Sequence, residues 1–171
     1  INEYNGKLYL SVPFGIVVYD IETLNFGDTY YIDENSNPVF VYESIVNEQT
    51  IYAVSKKGIY SADINDPNLV DFNNWLQPEG QLLGDFRSIS VLDDKIFTCS
   101  SSLLYELEGI DKLSQRKNYK QNILKLRSSA QLMSCTLNKS ALILDKDLSE
   151  VYEAKSMGDY DFELNSSFAR S

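Results

Sequence analysis

Leu8-Tyr9-Leu10 … Gly15-Ile16-Val17-Val18-Tyr19-Asp20 decides the fold, because its pattern occurs four times. An apolar strand, a tight hairpin, a second apolar strand and an acid follow one another. The pattern returns at Ile51-Tyr52-Ala53 … Gly58-Ile59-Tyr60-Ser61-Ala62-Asp63. It returns again at Ile96-Phe97-Thr98 … Ser101-Ser102-Leu103-Leu104-Tyr105-Glu106, and at Leu132-Met133-Ser134 … Ser140-Ala141-Leu142-Ile143-Leu144-Asp145. A small residue stands five places before the acid each time. The first strands lie 43, 45 and 36 residues apart. Strand-only repeats of about 40 residues are the mark of β-propeller blades. The expected fold class is therefore all-β, with about four four-stranded antiparallel repeats at about 5–46, 47–92, 93–130 and 131–168. Together they make a partial propeller domain over 1–171, expected to be part of a ring of about seven blades. Propellers are mostly binding scaffolds, which disfavours catalysis from the outset.

Within the first repeat, strands are expected at 7–11, 15–20, 26–32 and 39–46. The last, Val39-Phe40-Val41-Tyr42-Glu43-Ser44-Ile45-Val46, reads as a near-continuous apolar run buried on both faces. The second repeat is the longest, with Asn65-Asp66-Pro67-Asn68 and Asn73-Asn74-Trp75-Leu76-Gln77-Pro78-Glu79-Gly80 as its extra length. Gly109 to Asn118 contains moderate helix formers, but an outer strand fits the blade register better. Tyr9, Tyr52, Phe97 and Met133 stand second in their strands and are expected to form a layer between blades. A carbohydrate-stacking row is the alternative for these residues.

Twelve Tyr and eight Phe favour strands, and 171 residues suffice for one sizeable core. No apolar run reaches the ~20 residues that a membrane helix needs. The chain opens on a strand pattern, without initiator Met or signal peptide, so it is expected to be a segment of a longer protein. The net charge of −10 is uneven: residues 1–90 hold Lys7, Lys56, Lys57 and Arg87 against thirteen acids, while residues 91–171 are nearly balanced. Such a charge excludes nucleic acid as a favoured partner. Cys99 and Cys135 follow Ile96 and Leu132 by three places, so they are expected to occupy equivalent places in neighbouring blades as buried free thiols.

Histidine is absent, which removes the usual general base and most transition-metal sites. No phosphate loop, dinucleotide fingerprint or nucleophile elbow occurs, and no cofactor or metal is expected. Carboxylate-only glycan cleavage stays open as a minor alternative. The repeated acids Asp20, Asp63, Glu106 and Asp145 either form a rim of carboxylates or end strands by accepting from nearby backbone N–H groups; their repetition favours the second. Lys112, Arg116, Lys117, Lys120, Lys125 and Arg127 form an acid-free run. They make either a docking patch for an anionic partner or an edge strand guarded by cations. Trp75, the only tryptophan, either fills a gap between blades or stands exposed on a long loop as a binding hot spot.

Two segments carry a closer resemblance. One is Gly15-Ile16-Val17-Val18-Tyr19-Asp20 with Phe26-Gly27-Asp28-Thr29-Tyr30-Tyr31-Ile32; the other is Ile51-Tyr52-Ala53 … Gly58-Ile59 … Ala62 with Asn68-Leu69-Val70-Asp71-Phe72 … Trp75. Together they resemble the PorZ-like N-terminal β-propeller domains of the bacterial type nine secretion system. The resemblance is strong over residues 5–76 and extends to the later repeats only as a propeller pattern. It implies a protein of two seven-bladed propellers and a C-terminal β-sandwich at the outer-membrane surface of a Gram-negative bacterium. The implied partners are the sortase-like PorU and anionic lipopolysaccharide, and the implied role is non-enzymatic. No site residue follows from the resemblance.

The expectation is a non-enzymatic binding and assembly module at the cell surface or in the periplasm. The alternative is the periplasmic sensor propeller of a hybrid two-component system that binds an oligosaccharide. Self-association through the open blade ends is also expected.

Overall fold

Asn5-Gly6 is a two-residue turn with both φ values positive (48° and 72°), the conformation that suits a tight hairpin. It joins β1 (Asn2–Tyr4) to β2 (Lys7–Val12), and β3 (Gly15–Asp20) and β4 (Asn25–Tyr30) complete blade 1 in meander order. Blade 2 is β5 (Val41–Asn47), β6 (Thr50–Ser55) and β7 (Ile59–Asp63). Blade 3 is β8 (Ser88–Leu92), β9 (Lys95–Ser100), β10 (Leu103–Glu108) and β11 (Lys112–Asn118). Blade 4 is β12 (Ile123–Ser129), β13 (Leu132–Leu137), β14 (Ser140–Asp145), β15 (Glu150–Met157) and β16 (Asp161–Leu164). The computed structural model describes residues 1–129, 131–157 and 161–164. The expected end of repeat four near Phe168 lies outside them.

The chain is thus all-β, with antiparallel propeller blades, and Leu8, Ile51, Ile96 and Leu132 all lie on second strands. Three details correct the sequence expectation. The run 39–46 was expected to close the first repeat, but Val41–Asn47 pairs with Thr50–Ser55 as the inner strand of blade 2. The reason is loop length: Glu48-Gln49 forms a two-residue hairpin, whereas ten residues separate the run from β4. Blade 2 in turn has no full fourth strand. The long 64–87 connection touches its edge only at Ser61–Leu76 and Gly58–Leu83.

The third correction concerns register. Leu107 pairs with Ile96, so Glu108, not Glu106, stands where Asp20 and Asp63 stand in their blades. In blade 4 Asp145 pairs with Leu132 itself, so Met133 rather than Leu132 is the counterpart of Leu8, Ile51 and Ile96. A one-residue slip turns every side chain to the other face. Leu132 is consequently 45 % exposed, while Met133 is fully buried against blade 3.

Three apolar layers hold the blades together. Tyr9, Ile16 and Val18 of blade 1 pack on Ile51, Ala53 and Tyr60 of blade 2. Tyr52, Val54 and Ile59 of blade 2 pack on Ile89, Ile96 and Leu107 of blade 3. Phe97, Cys99 and Leu104 of blade 3 pack on Leu126, Met133 and Cys135 of blade 4. Each fully buried large side chain stabilises by about 1.5–3 kcal/mol, so these layers dominate the fold's energetics. Tyr9, Tyr52, Phe97 and Met133 are all buried in them. Trp75 lies in the first layer, 3 % exposed, with its indole N–H donating to Leu69 O at 2.9 Å. It fills a gap between blades and compensates for the missing fourth strand of blade 2.

The cysteines do not occupy equivalent places, because of the slip in blade 4. They share one layer from opposite sides, and both are free and buried. Burial pushes each thiol up to about 12, so neither is reactive in the folded chain near neutral pH. A thiol reagent is expected to label almost nothing in the native protein and two groups per chain after denaturation without reductant. A count of zero in denaturant would contradict the free-thiol assignment.

Candidate functional site

In a meander the turns alternate between the two ends of a blade, and the inner strands β1, β5, β8 and β12 stand side by side around the axis. Every turn therefore belongs to one of two rims. The lower rim collects the β3–β4, β5–β6, β8–β9, β10–β11 and β14–β15 turns, with Glu22, Glu48, Asp93, Asp94, Asp111 and Asp147 against Lys146. The upper rim collects the β2–β3, β4–β5, β6–β7, β9–β10, β11–β12 and β13–β14 turns, with Asp33 and Glu34 against Lys56, Lys57, Lys120 and Lys139. Among these short turns the acids thus gather on the lower rim, while the 64–87 connection brings Glu79 and the Asp85–Arg87 pair up beside the β6–β7 turn; the half-by-half count along the sequence does not reveal this arrangement.

The strand-ending acids reinforce the lower rim. Asp20 accepts from Thr23 N at 2.8 Å, Asp63 from Asn65 N at 2.9 Å, and Asp145 from Asp147 N at 2.9 Å and Ser149 N at 2.8 Å. These are turn acceptors. The backbone N–H of Thr23 is the main cause holding the Asp20 carboxyl below its ordinary value. Glu106 lies inside its strand instead and pairs with Arg116 at 3.5 Å.

The upper rim has a different chemistry. Phe14 (41 % exposed), Tyr31 (39 %) and Phe40 (49 %) are three of its exposed aromatics. Phe14 lies 6.3 Å from Tyr31, and Phe40 lies 5.1 Å from Tyr42. The Arg87 guanidinium stands 5.6 Å above the Tyr42 ring and is held by Asp85 at 2.7 Å. Asp33 is buried and neutralised: it pairs with Lys57 and accepts from the Tyr60 hydroxyl at 2.8 Å. Burial, then Asp33, raises the Tyr60 hydroxyl well above its ordinary value. Glu34 remains as the rim's exposed acid in these turns, among exposed Lys56, Lys120 and Lys139.

The inner strands carry a feature that the sequence analysis missed. Glu43 of blade 2 is 6 % exposed, with a cavity of about 360 Å³ beside it that Asn2, Ser44, Ser90 and Arg127 also line. One of its oxygens accepts from Ser88 Oγ at 2.6 Å and Ile89 N at 3.1 Å in blade 3. The other pairs with Lys125 Nζ at 2.8 Å and with Arg127 in blade 4. A single carboxylate therefore joins three blades. Bulges in β5 between Val41 and Glu43, and in β12 between Ile123 and Lys125, re-aim these side chains. Burial acts to raise the Glu43 carboxyl, but hydrogen bonds from Lys125 and Ser88 outweigh it and hold the group below its ordinary value. The signal was a lone acid within an otherwise apolar run.

The six-residue basic run is distributed over several surfaces. Lys112, Arg116 and Lys117 lie on β11, the outer edge of blade 3, paired with Glu108, Glu106 and Glu150. Lys125 and Arg127 bind Glu43 on the inner strands, and Lys120 stands exposed on the upper rim. The β11 trio suits the role of cations that guard a sheet edge.

Among the described residues no group of His, Cys, Asp and Glu is arranged to hold a metal, and no helix is long and apolar enough to cross a membrane. Stacked meander sheets with an aromatic-bearing rim define the chain as a β-propeller segment. Residues 1–76 match the family model described as the N-terminal β-propeller domain of PorZ of the type nine secretion system, so this stretch is PorZ-like. No curated protein matches. Among solved structures, PorZ of Porphyromonas gingivalis, an essential bacterial surface component of that system, superposes with a TM-score of 0.67 at 11 % identity. The match covers 95 % of this chain and 22 % of that one. The extracellular domain of the putative hybrid two component system BT4673 from B. thetaiotaomicron superposes at 0.66 with 14 % identity, covering 94 % and 21 %. The Neurospora crassa Pan2 WD40 domain superposes at 0.64 with 10 % identity, covering 96 % and 58 %. These likenesses show the propeller fold. The chain spans about a fifth of the length of the PorZ and BT4673 chains.

Proposed function

We propose that the chain is part of a non-enzymatic binding and assembly module at the bacterial cell surface, and that its upper rim is the ligand face. The charge segregation between the rims carries this reading. An anionic ligand is repelled by the lower rim and drawn to Lys56, Lys120 and Lys139, beside aromatic rings on which sugar faces stack. Lipopolysaccharide is the ligand class that the PorZ likeness suggests, and a sortase-like protein such as PorU is the corresponding protein partner. On this reading the segment contributes four blades to a ring of about seven and uses no cofactor. Of the basic run, Lys120 takes part directly, and the cations of β11 protect the edge. The likeness to BT4673 supports a second reading, a periplasmic sensor propeller that binds an oligosaccharide. The flanking gene segments decide between them: a C-terminal sorting-type β-domain supports the first, a transmembrane helix followed by a histidine kinase the second.

The test is binding of purified lipopolysaccharide across a salt series. Exposed charges are screened within about 10 Å at 0.1 M salt, so affinity is expected to fall steadily as salt rises. Binding that ignores salt, or equal binding of a neutral polysaccharide, contradicts the proposal.

A further inference from the structure

Blade 2 leaves the outer edge of its third strand to an irregular segment. In blades 1 and 3 a fourth strand, β4 or β11, pairs along that edge. Among the described residues β7 has two isolated bridges there, Ser61–Leu76 and Gly58–Leu83. Between the 64–87 connection and the β10–β11 turn of blade 3 lies a cavity of about 700 Å³. That volume is in the range of small-ligand and peptide pockets. Both walls belong to blades within the chain, so the next blade of a larger ring does not close it. Gln81 ties the walls together, its Oε1 accepting from Leu113 N at 3.2 Å.

The lining combines apolar groups with unpaired acceptors. Leu82 is buried, whereas Leu76 on one wall and Ile110 on the other are 53 % and 45 % exposed. The Gln77 amide N–H₂ donates to Ile32 O at 2.9 Å and Trp75 O at 3.3 Å, which sets the orientation of the amide. Its Oε1 is buried without a hydrogen-bond partner among the described residues. Glu79 and Asp111 are exposed, and neither carboxylate is paired among the described residues. Lys112, the cation of the lining, is already paired with Glu108. The uncompensated charge at the cavity is therefore negative.

An occupant that complements these walls has an apolar body, a positive charge and N–H groups to donate. A peptide with an apolar residue beside Lys or Arg has all three, because its backbone supplies the N–H groups. A small polyamine would meet the acids but leave Leu76 and Ile110 in water. We propose that this cleft between blades 2 and 3 docks such a peptide segment of a partner protein. Its apolar side chain sits between Leu76 and Ile110, and its cation meets Glu79 or Asp111. The cleft repels the anionic ligand drawn to Lys56, Lys120 and Lys139, so the proposal is independent of the rim reading.

The test is selection of short peptides from a displayed random library on the 171-residue chain, then fluorescence anisotropy of the enriched peptides. Sequences that set Leu, Ile, Val or Phe beside Lys or Arg are expected among them. Glu79→Lys with Asp111→Lys is expected to weaken their binding about tenfold or more, and Ile110→Ser about fivefold. All three positions are exposed, and Glu79 makes no capping hydrogen bond to the turn at Gly80–Leu82, so folding is expected to stay intact. Glu22→Lys, away from the cleft, is expected to leave peptide binding unchanged. An enriched pool without such sequences overturns the proposal, as does binding that survives the double variant. Spermidine that competes as well as the peptides also overturns it, because charge alone would then explain the occupancy. Lipopolysaccharide binding by the double variant is expected to be no weaker than that of wild type; a loss would place both ligands on one surface and overturn the separate site.

Discussion

Gly15→Val is expected to destabilise the chain by about 3 kcal/mol or more, through a clash at the start of β3. A Cβ at Gly15 would lie 2.1 Å from Tyr30 O, inside the neighbouring strand's backbone, and φ is +148°. Overpacking of this kind costs roughly 1–3 kcal/mol, and a strained backbone for a β-branched residue adds a similar amount. The same holds at Gly58, where a Cβ would lie 2.4 Å from both Leu82 O and the Pro78 side chain. This is the physical reason for the small residue five places before the acid in the first two repeats. The third strand there runs directly beneath the chain that closes the blade. For a chain of this size about 3 kcal/mol lowers Tm by roughly 6–12 °C. Gly27→Ala is the control: its Cβ would make only ordinary contacts at 3.8 Å, so a near-neutral result is expected. An unchanged Tm for Gly15→Val would contradict the close approach.

Glu43→Gln tests the junction of three blades. It removes the charge that Lys125, Arg127, Ser88 and Ile89 N–H all address, while keeping most of the volume. Hydrogen bonds to a charged group are worth about 1.5–3 kcal/mol each. The cations are partly solvated, with Lys125 33 % and Arg127 60 % exposed, so the net loss is expected near 2 kcal/mol rather than the sum. The pH dependence has a defined sign. The folded carboxyl lies below its unfolded value of about 4.3, so its contribution is complete above that pH. The contribution is lost as the pH falls through the lowered folded value. The stability gap between wild type and Glu43→Gln is therefore expected to be constant near neutrality and to close in acid. A gap independent of pH down to about 2 would show that the charge is not the source.

The strands themselves were legible because alternation and turn residues are local signals. Trp75, the buried second-strand residues and the outer strand near Lys112–Asn118 followed from the same signals. Register was not legible in blade 4. The acid lies twelve residues after the first strand residue in blades 1 and 2 and thirteen after it in blade 4. With a side-chain period of two, that odd step reverses the faces and places Cys135 opposite Cys99. Inner-strand ownership was missed because Val41–Asn47 is buried along most of its length and its sequence carries no mark of which neighbour it joins. The rim segregation was hidden for a topological reason: alternate turns go to opposite rims, so acids and bases that mix along the sequence separate in space. The basic run was continuous in sequence, yet it crosses from an outer edge to an inner strand within fifteen residues, and no single surface holds it.

The central claim is that one rim recognises an anionic ligand and the other does not. Its most direct test is isothermal titration of lipopolysaccharide against two variants with the same number of changed charges. One carries Lys56→Glu and Lys120→Glu on the upper rim; the other carries Glu22→Lys and Asp111→Lys on the lower rim. Exposed charges in either rim leave folding intact, which circular dichroism verifies. The upper-rim variant is expected to lose at least tenfold in affinity, while the lower-rim variant is expected to bind as wild type or modestly tighter. Full binding by the upper-rim variant, or an equal loss in both, would contradict the account.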